Sequence, residues 1–107
     1  MNEKEMTTER EARILENAVV CYGPAAQIDM MIEEMSELTK ALCKFKRALP
    51  GSTVDMEIES VLEEMADVQI MLNQMALIFG DFNEWEITKL ERLEERLWHK
   101  GMAEELA

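Results

Sequence analysis

The chain predicts an all-α fold, and three observations carry that reading. Glu, Leu, Met, Ala and Lys are abundant while aromatic and β-branched residues are sparse, which is the composition of strong helix formers. Only two prolines and four glycines interrupt 107 residues. Apolar residues recur three and four apart over long stretches separated by breaks that contain Gly or Pro. A chain of this length makes one domain, residues 1–107, read here as a four-helix bundle-like subunit.

Thr8 followed by Glu11 reads as a capping box that opens the first helix, with Ile14, Leu15, Ala18, Val19 and Tyr22 as its apolar stripe. Gly23-Pro24 ends it, since proline restricts the residue before it and suits the first turn of a following helix. The second helix is expected from about Ala25 to Ala48. Its core stripe is Ile28, Met31, Ile32, Met35, Leu38, Leu42 and Phe45. Lys40, Lys44, Lys46 and Arg47 crowd its C-terminal end, where the helix dipole favours cations. Pro50-Gly51-Ser52 breaks the chain again, within a mobile loop from Ala48 to Asp55. The third helix runs from about Asp55 to Phe79 and stops at Gly80. Ile58, Val61, Leu62 and Met65 make its first half amphipathic, and from Val68 onward it is apolar on nearly every side. A helix apolar all round is buried all round, which so short a chain cannot achieve alone, so a homo-oligomer is expected. Asn83 with Glu86 forms a second capping box and opens the fourth helix, Glu84 to about Lys100, with Ile87, Leu90, Leu93, Leu97 and Trp98 facing inward. Gly101 stops it, and the last six residues are expected to fray.

The formal net charge of −12 repels nucleic acid and anionic membranes, so neither is an expected partner. Glu3, Glu5, Glu9, Glu91, Glu94, Glu104 and Glu105 read as ordinary solvated surface. The longest apolar stretch, Val68 to Phe79, is interrupted by Gln69, Asn73 and Gln74 and is too short to span a bilayer. Cys21 and Cys43 are far apart and make no CxxC pattern, which fits reduced, buried thiols in a cytoplasmic protein. Met1 to Arg13 is charged throughout and does not read as a signal peptide.

Two acidic pairs carry the chemistry: Glu34-x-x-Glu37 on the second helix and Glu64-x-x-Asp67 on the third. Residues three apart share a helix face, so each pair aims two carboxylates in one direction. Both pairs flank core positions, Met35 and Leu38 in one, Met65 and Val68 in the other. On antiparallel helices the four acids converge, and four close carboxylates repel unless a cation lies among them. Oxygen donors without thiolate or imidazole select Mg²⁺, with Mn²⁺ as the alternative. The sole histidine, His99, stands at neither motif, which argues against a histidine-bearing di-iron bundle, a His-based zinc site or a Ser-His-Asp triad.

Glu33-Glu34-Met35-Ser36-Glu37-Leu38, a spacer of about 26 residues between Glu37 and Glu64, and Glu63-Glu64-Met65-Ala66-Asp67-Val68 resemble the two metal-binding helices of the all-α nucleoside triphosphate pyrophosphohydrolases, the MazG-like superfamily. The resemblance covers about Gln27 to Arg96. It implies Mg²⁺-dependent hydrolysis of the α–β phosphoanhydride of a nucleoside triphosphate, giving a nucleoside monophosphate and pyrophosphate. It also implies Glu34, Glu37, Glu64 and Asp67 as metal ligands, and a homodimer or homotetramer. Glu33 and Glu63 are candidates to orient or deprotonate the attacking water, beside their alternative as plain exposed acids. Lys89, Arg92 and Arg96, at i, i+3 and i+7, either grip phosphate oxygens or pair with Glu86, Glu91 or Glu95, and Lys44 and Lys46 could serve similarly, although cations at a helix end need no further explanation. Gln27 and Asn73 are candidates to read a base edge, and Trp85 to stack on a base, each with a structural role as its alternative. Rival readings are a phosphoribosyl-ATP pyrophosphohydrolase-type enzyme and an acidic helical oligomer that binds a protein partner without catalysis.

Overall fold

The computed structural model describes residues 5–49, 51 and 53–101 and is all-helical. Its elements are α1 (Thr8–Tyr22), α2 (Pro24–Ala48), α3 (Val54–Phe79) and α4 (Asn83–His99). Pro50 and Ser52 of the expected break, Glu3, Glu104 and Glu105 of the expected acidic surface, and the expected fraying tail lie outside the described residues. No helix among those described is long and apolar enough to cross a membrane.

The breaks work as their chemistry requires. Gly23 takes φ 88° between α1 and α2, a left-handed conformation open to glycine, while its N–H donates to the Val19 carbonyl and Pro24 occupies the first turn of α2. Gly80 ends α3 at φ 117°, with its N–H on the Ala76 carbonyl. The two capping boxes are corrected. The cap of α1 is Thr7, one residue early, whose hydroxyl accepts from the Arg10 N–H. Asn83 is already helical, and its N–H is held by the Asp81 carboxylate at 3.0 Å.

Helices α2 and α3 form the main packed pair, and α1 lies against both. A short connection makes α2 and α3 antiparallel, and Gln27 near the start of α2 meets Gln74 near the end of α3. The Gln27 amide donates to the Gln74 side-chain carbonyl, and the Gln74 amide reaches the Met71 sulfur at 3.6 Å. Those glutamines, with Met31, Ala41 and Met71, are the buried residues among those described.

The core stripe is narrower than the sequence expectation, of which Met31 is buried and Ile28, Leu38 and Phe45 are half-buried. Ile32 (55% exposed), Met35 and Leu42 lie on the outside of α2, whereas Gln27, Met31 and Ala41 are buried and Glu34, Leu38 and Phe45 half-buried. Every offset in that second set is three or four residues, which is a seam between two helices rather than the broad face of a globular helix. Cys21 and Cys43, expected buried, are both exposed.

The fourth helix departs from a bundle. Among the described residues α4 packs against none of the other helices. Trp85 (65% exposed), Ile87, Leu90, Leu93 and Trp98 face outward, and only Leu97 of its inward set is half-buried. The radius of gyration is 17.9 Å, against about 13 Å for a compact domain of this length. The chain is thus not closed on itself.

The buried amide pair gives a stability test. Gln74→Leu strands the Gln27 amide in the seam and is expected to cost about 1–3 kcal/mol in urea unfolding. Replacing both glutamines by Leu is expected to recover most of that loss, because no buried polar group is then left unpaired. A double variant as damaged as the single one contradicts the assignment.

Candidate metal centre

The register that joins Gln27 to Gln74 also builds the acidic site. Two turns further along α2 is Glu34, and two turns back along α3 is Asp67, so these meet across the seam with Glu64 beside them. One carboxylate oxygen from each of Glu34, Glu64 and Asp67 lies within 4.8 Å of the others, and all three residues are half-buried. Glu37, the fourth expected ligand, stands outside this trio. It is half-buried one turn along α2 and approaches the Lys40 ammonium at 3.9 Å, although its charge is still felt at Glu64.

The trio holds charge under strain. Loss of hydration raises the Glu34 pKa above the ordinary carboxylate range, and the charges of Asp67, Glu64 and Glu33 and a hydrogen bond shared with Asp67 raise it further. Glu64 is raised in the same way, first by loss of hydration, then by Asp67, Glu37 and Glu63. Oε2 of Glu64 is sealed from solvent and has no hydrogen-bond partner. A divalent cation among these oxygens answers each of these penalties, and an all-oxygen donor set suits a hard ion such as Mg²⁺ or Mn²⁺. The residues fit that ion.

The other expected site residues divide. Glu33 and Glu63 are exposed, each next in sequence to a member of the trio and close enough to push its titration upward. Gln27 is spent inside the fold on Gln74, which displaces it as a base reader. Asn73 accepts a hydrogen bond from Gln69 at 3.0 Å and lines a groove of about 260 Å³ between α1 and α3, together with Thr8, Glu11, Leu15 and Leu77. The trio does not line that groove. Lys89, Arg92 and Arg96 lie on α4, so within one chain they are not brought to the acids. Nor do they pair with Glu86, Glu91 or Glu95, because the ion pairs among the described residues are Lys40–Glu37 and His99–Glu95, both at 3.9 Å.

A feature that sequence reasoning missed adjoins the trio. Glu37, Lys40, Ala41 and Lys44 of α2 face Glu57, Ser60 and Glu64 of α3 across a cleft of about 200 Å³. The signal was present: Lys40 and Lys44 follow Glu37 at i+3 and i+7, on the face that carries the acid. For Lys44 the sequence offers phosphate gripping beside the helix dipole, whereas for Lys40 it offers the dipole alone.

The raised carboxyls set a pH dependence. A carboxyl whose folded pKa exceeds its unfolded value contributes stability below the unfolded value and loses it as pH rises through the folded one. In EDTA the melting temperature is therefore expected to lose this contribution as pH climbs above the usual carboxylate range. Added Mg²⁺ is expected to raise the melting temperature more at about pH 7 than at about pH 4, where the raised carboxyls of Glu34 and Glu64 hold protons. Circular dichroism melts in EDTA and in MgCl₂ measure this, and an equal gain at both pH values contradicts it. Glu34→Gln with Glu64→Gln is expected to remove the difference.

Compared with protein-family models, curated proteins and solved structures, the chain matches none.

Proposed function

We propose that the protein is a Mg²⁺-dependent nucleoside triphosphate pyrophosphohydrolase that cleaves a normal or damaged (deoxy)nucleotide between its α- and β-phosphates. The observation that carries this reading is the convergence of Glu34, Glu64 and Asp67, with one Glu64 oxygen buried and unpartnered. The motif resemblance supports the same chemistry independently of that geometry. When bound, Mg²⁺ supplies neutralisation of the triphosphate and of the charge that develops on leaving pyrophosphate. Glu34, Glu64 and Asp67 would hold it, with Glu37 one turn away to complete or adjust the set.

The chain's own part is to position and to take a proton. A water oxygen bonds to the α-phosphorus, the bond from that phosphorus to the α–β bridging oxygen breaks, and pyrophosphate leaves with the electron pair. The proton lost by the water needs an acceptor, and the exposed carboxylates of Glu33 and Glu63, each next in sequence to a member of the trio, are the candidates. The half-buried setting keeps the trio poorly hydrated, which strengthens every electrostatic contact made there.

The active form is proposed to be a homodimer or homotetramer in the cytoplasm. The small buried core, the outward apolar residues of α2 and the unpartnered face of α4 support a partner surface. The same surfaces also favour a second reading, an acidic helical oligomer that binds protein without catalysis. That reading expects no effect of Mg²⁺ or of nucleotide.

Two experiments test these proposals. A panel of nucleoside triphosphates, phosphoribosyl-ATP included, incubated with Mg²⁺ and analysed by mass is expected to give monophosphate and pyrophosphate. Glu64→Gln and Asp67→Asn are each expected to lower kcat by about a hundredfold or more with the helical signal intact. Full activity in either variant contradicts the ligand assignment, and release of inorganic phosphate alone contradicts α–β cleavage. Separately, Leu90→Glu with Leu93→Glu is expected to shift the sedimenting species to a smaller assembly, and an unchanged sedimentation profile removes α4 from the interface.

A further inference from the structure

The geometry points to Lys40 and Lys44 as the clamp for the β- and γ-phosphates, fixing which way a triphosphate lies along the α2/α3 seam; this rests on the function proposed above. The cleft that holds these lysines shares Glu64 with the acid trio, so it opens directly beside the ion's position. From the trio the seam runs two ways. Towards the start of α2 it closes on the buried Gln27–Gln74 pair. Towards the end of α2 it opens into the cleft, where two ammonium groups one turn apart stand over about 200 Å³. Of these two directions, the second offers phosphates extending from the ion both room and counter-charge.

The lysines are available for this. Lys40 makes only a 3.9 Å contact with Glu37 and is 75% exposed there, a pairing of little strength in water. Lys44 pairs with no carboxylate within 4 Å among the described residues, although Glu57 lines the opposite wall. Ser60 is already committed, its hydroxyl donating to the Met56 carbonyl at 3.3 Å.

The charges also set an order. Glu37, Glu57 and Glu64 outnumber Lys40 and Lys44, so the bare cleft carries net negative charge and repels an anion. A divalent cation at the trio offsets two of the negative charges gathered there and lowers that repulsion. The metal therefore precedes or accompanies the phosphates, and the pyrophosphate end binds on the lysine side.

Calorimetric titration with inorganic pyrophosphate in saturating MgCl₂, and with Mn²⁺ alone, tests the assignment without reference to the base. Wild-type protein is expected to bind pyrophosphate with Mg²⁺ present and not in EDTA. Lys40→Gln with Lys44→Gln is expected to weaken pyrophosphate binding by about tenfold for each lysine removed. The same variant is expected to bind Mn²⁺ as well as or better than wild type, since removing cations relieves repulsion of the ion. Arg13→Gln, which removes one cation from α1, is expected to change neither titration. Pyrophosphate affinity retained within about twofold in the double variant, with Mn²⁺ binding intact, overturns the clamp and leaves the proposed function standing. Loss of Mn²⁺ binding in the double variant also overturns it, because the lysines then hold the site together rather than the phosphates. Wild-type protein that takes up no Mn²⁺ overturns the proposed function, and the clamp with it.

Discussion

The register between α2 and α3 is the constraint on which everything else in this molecule depends. Gln27 meets Gln74, and two helical turns away Glu34 meets Asp67. A slip of one turn carries Glu34 about 5.4 Å away from Asp67 and disperses the trio. A seam of apolar residues alone would define such a register weakly, because Leu and Met tolerate many neighbours. The buried amide pair is selective, since an unpaired amide costs more than a displaced methyl group. Thus a polar contact near one end of the hairpin fixes the geometry of a polar site in its middle.

The seam also explains what could and could not be read from the sequence. Helix ends were legible because they rest on local chemistry: Gly23-Pro24 and Gly80 placed three ends to within a residue. Caps were less so, because Thr7 and Thr8 are both competent and only the chain's path chooses between them. The buried face of α2 was drawn too wide for a more basic reason. A hydrophobicity argument turns every apolar position inward, Ile32, Met35 and Leu42 together with Ile28, Met31, Leu38 and Phe45. The structure instead turns in a stripe interrupted by Gln27 and Glu34. Reading the carboxylates as lying at the edge of the core was right in kind, but they belong to the seam itself.

Residues that act from different helices were legible only where the register was. Glu34, Glu64 and Asp67 share a hairpin, so their meeting follows from two spacings and an antiparallel turn. Lys89, Arg92 and Arg96 sit beyond a further turn, on a helix that packs against no other helix among the described residues. No pattern along α4 reveals where it docks. Lys40 and Lys44, by contrast, lie on the site's own helix, and their face was fixed once Glu37 was placed.

The acid trio and the outward apolar faces are two halves of one physical problem. Carboxylates in the α2/α3 seam occupy positions that apolar side chains would otherwise fill, so the hairpin gives up hydrophobic stabilisation where the site is built. The displaced apolar residues, Ile32, Met35 and Leu42 among them, then face outward. A second subunit covering those faces would restore the lost burial, and a divalent ion would relieve the crowded charge. On the proposed function, folding, assembly and ion binding would be coupled through the same two helices: whatever stabilises the packed hairpin holds the three carboxylates close, and whatever neutralises the carboxylates favours the packed hairpin.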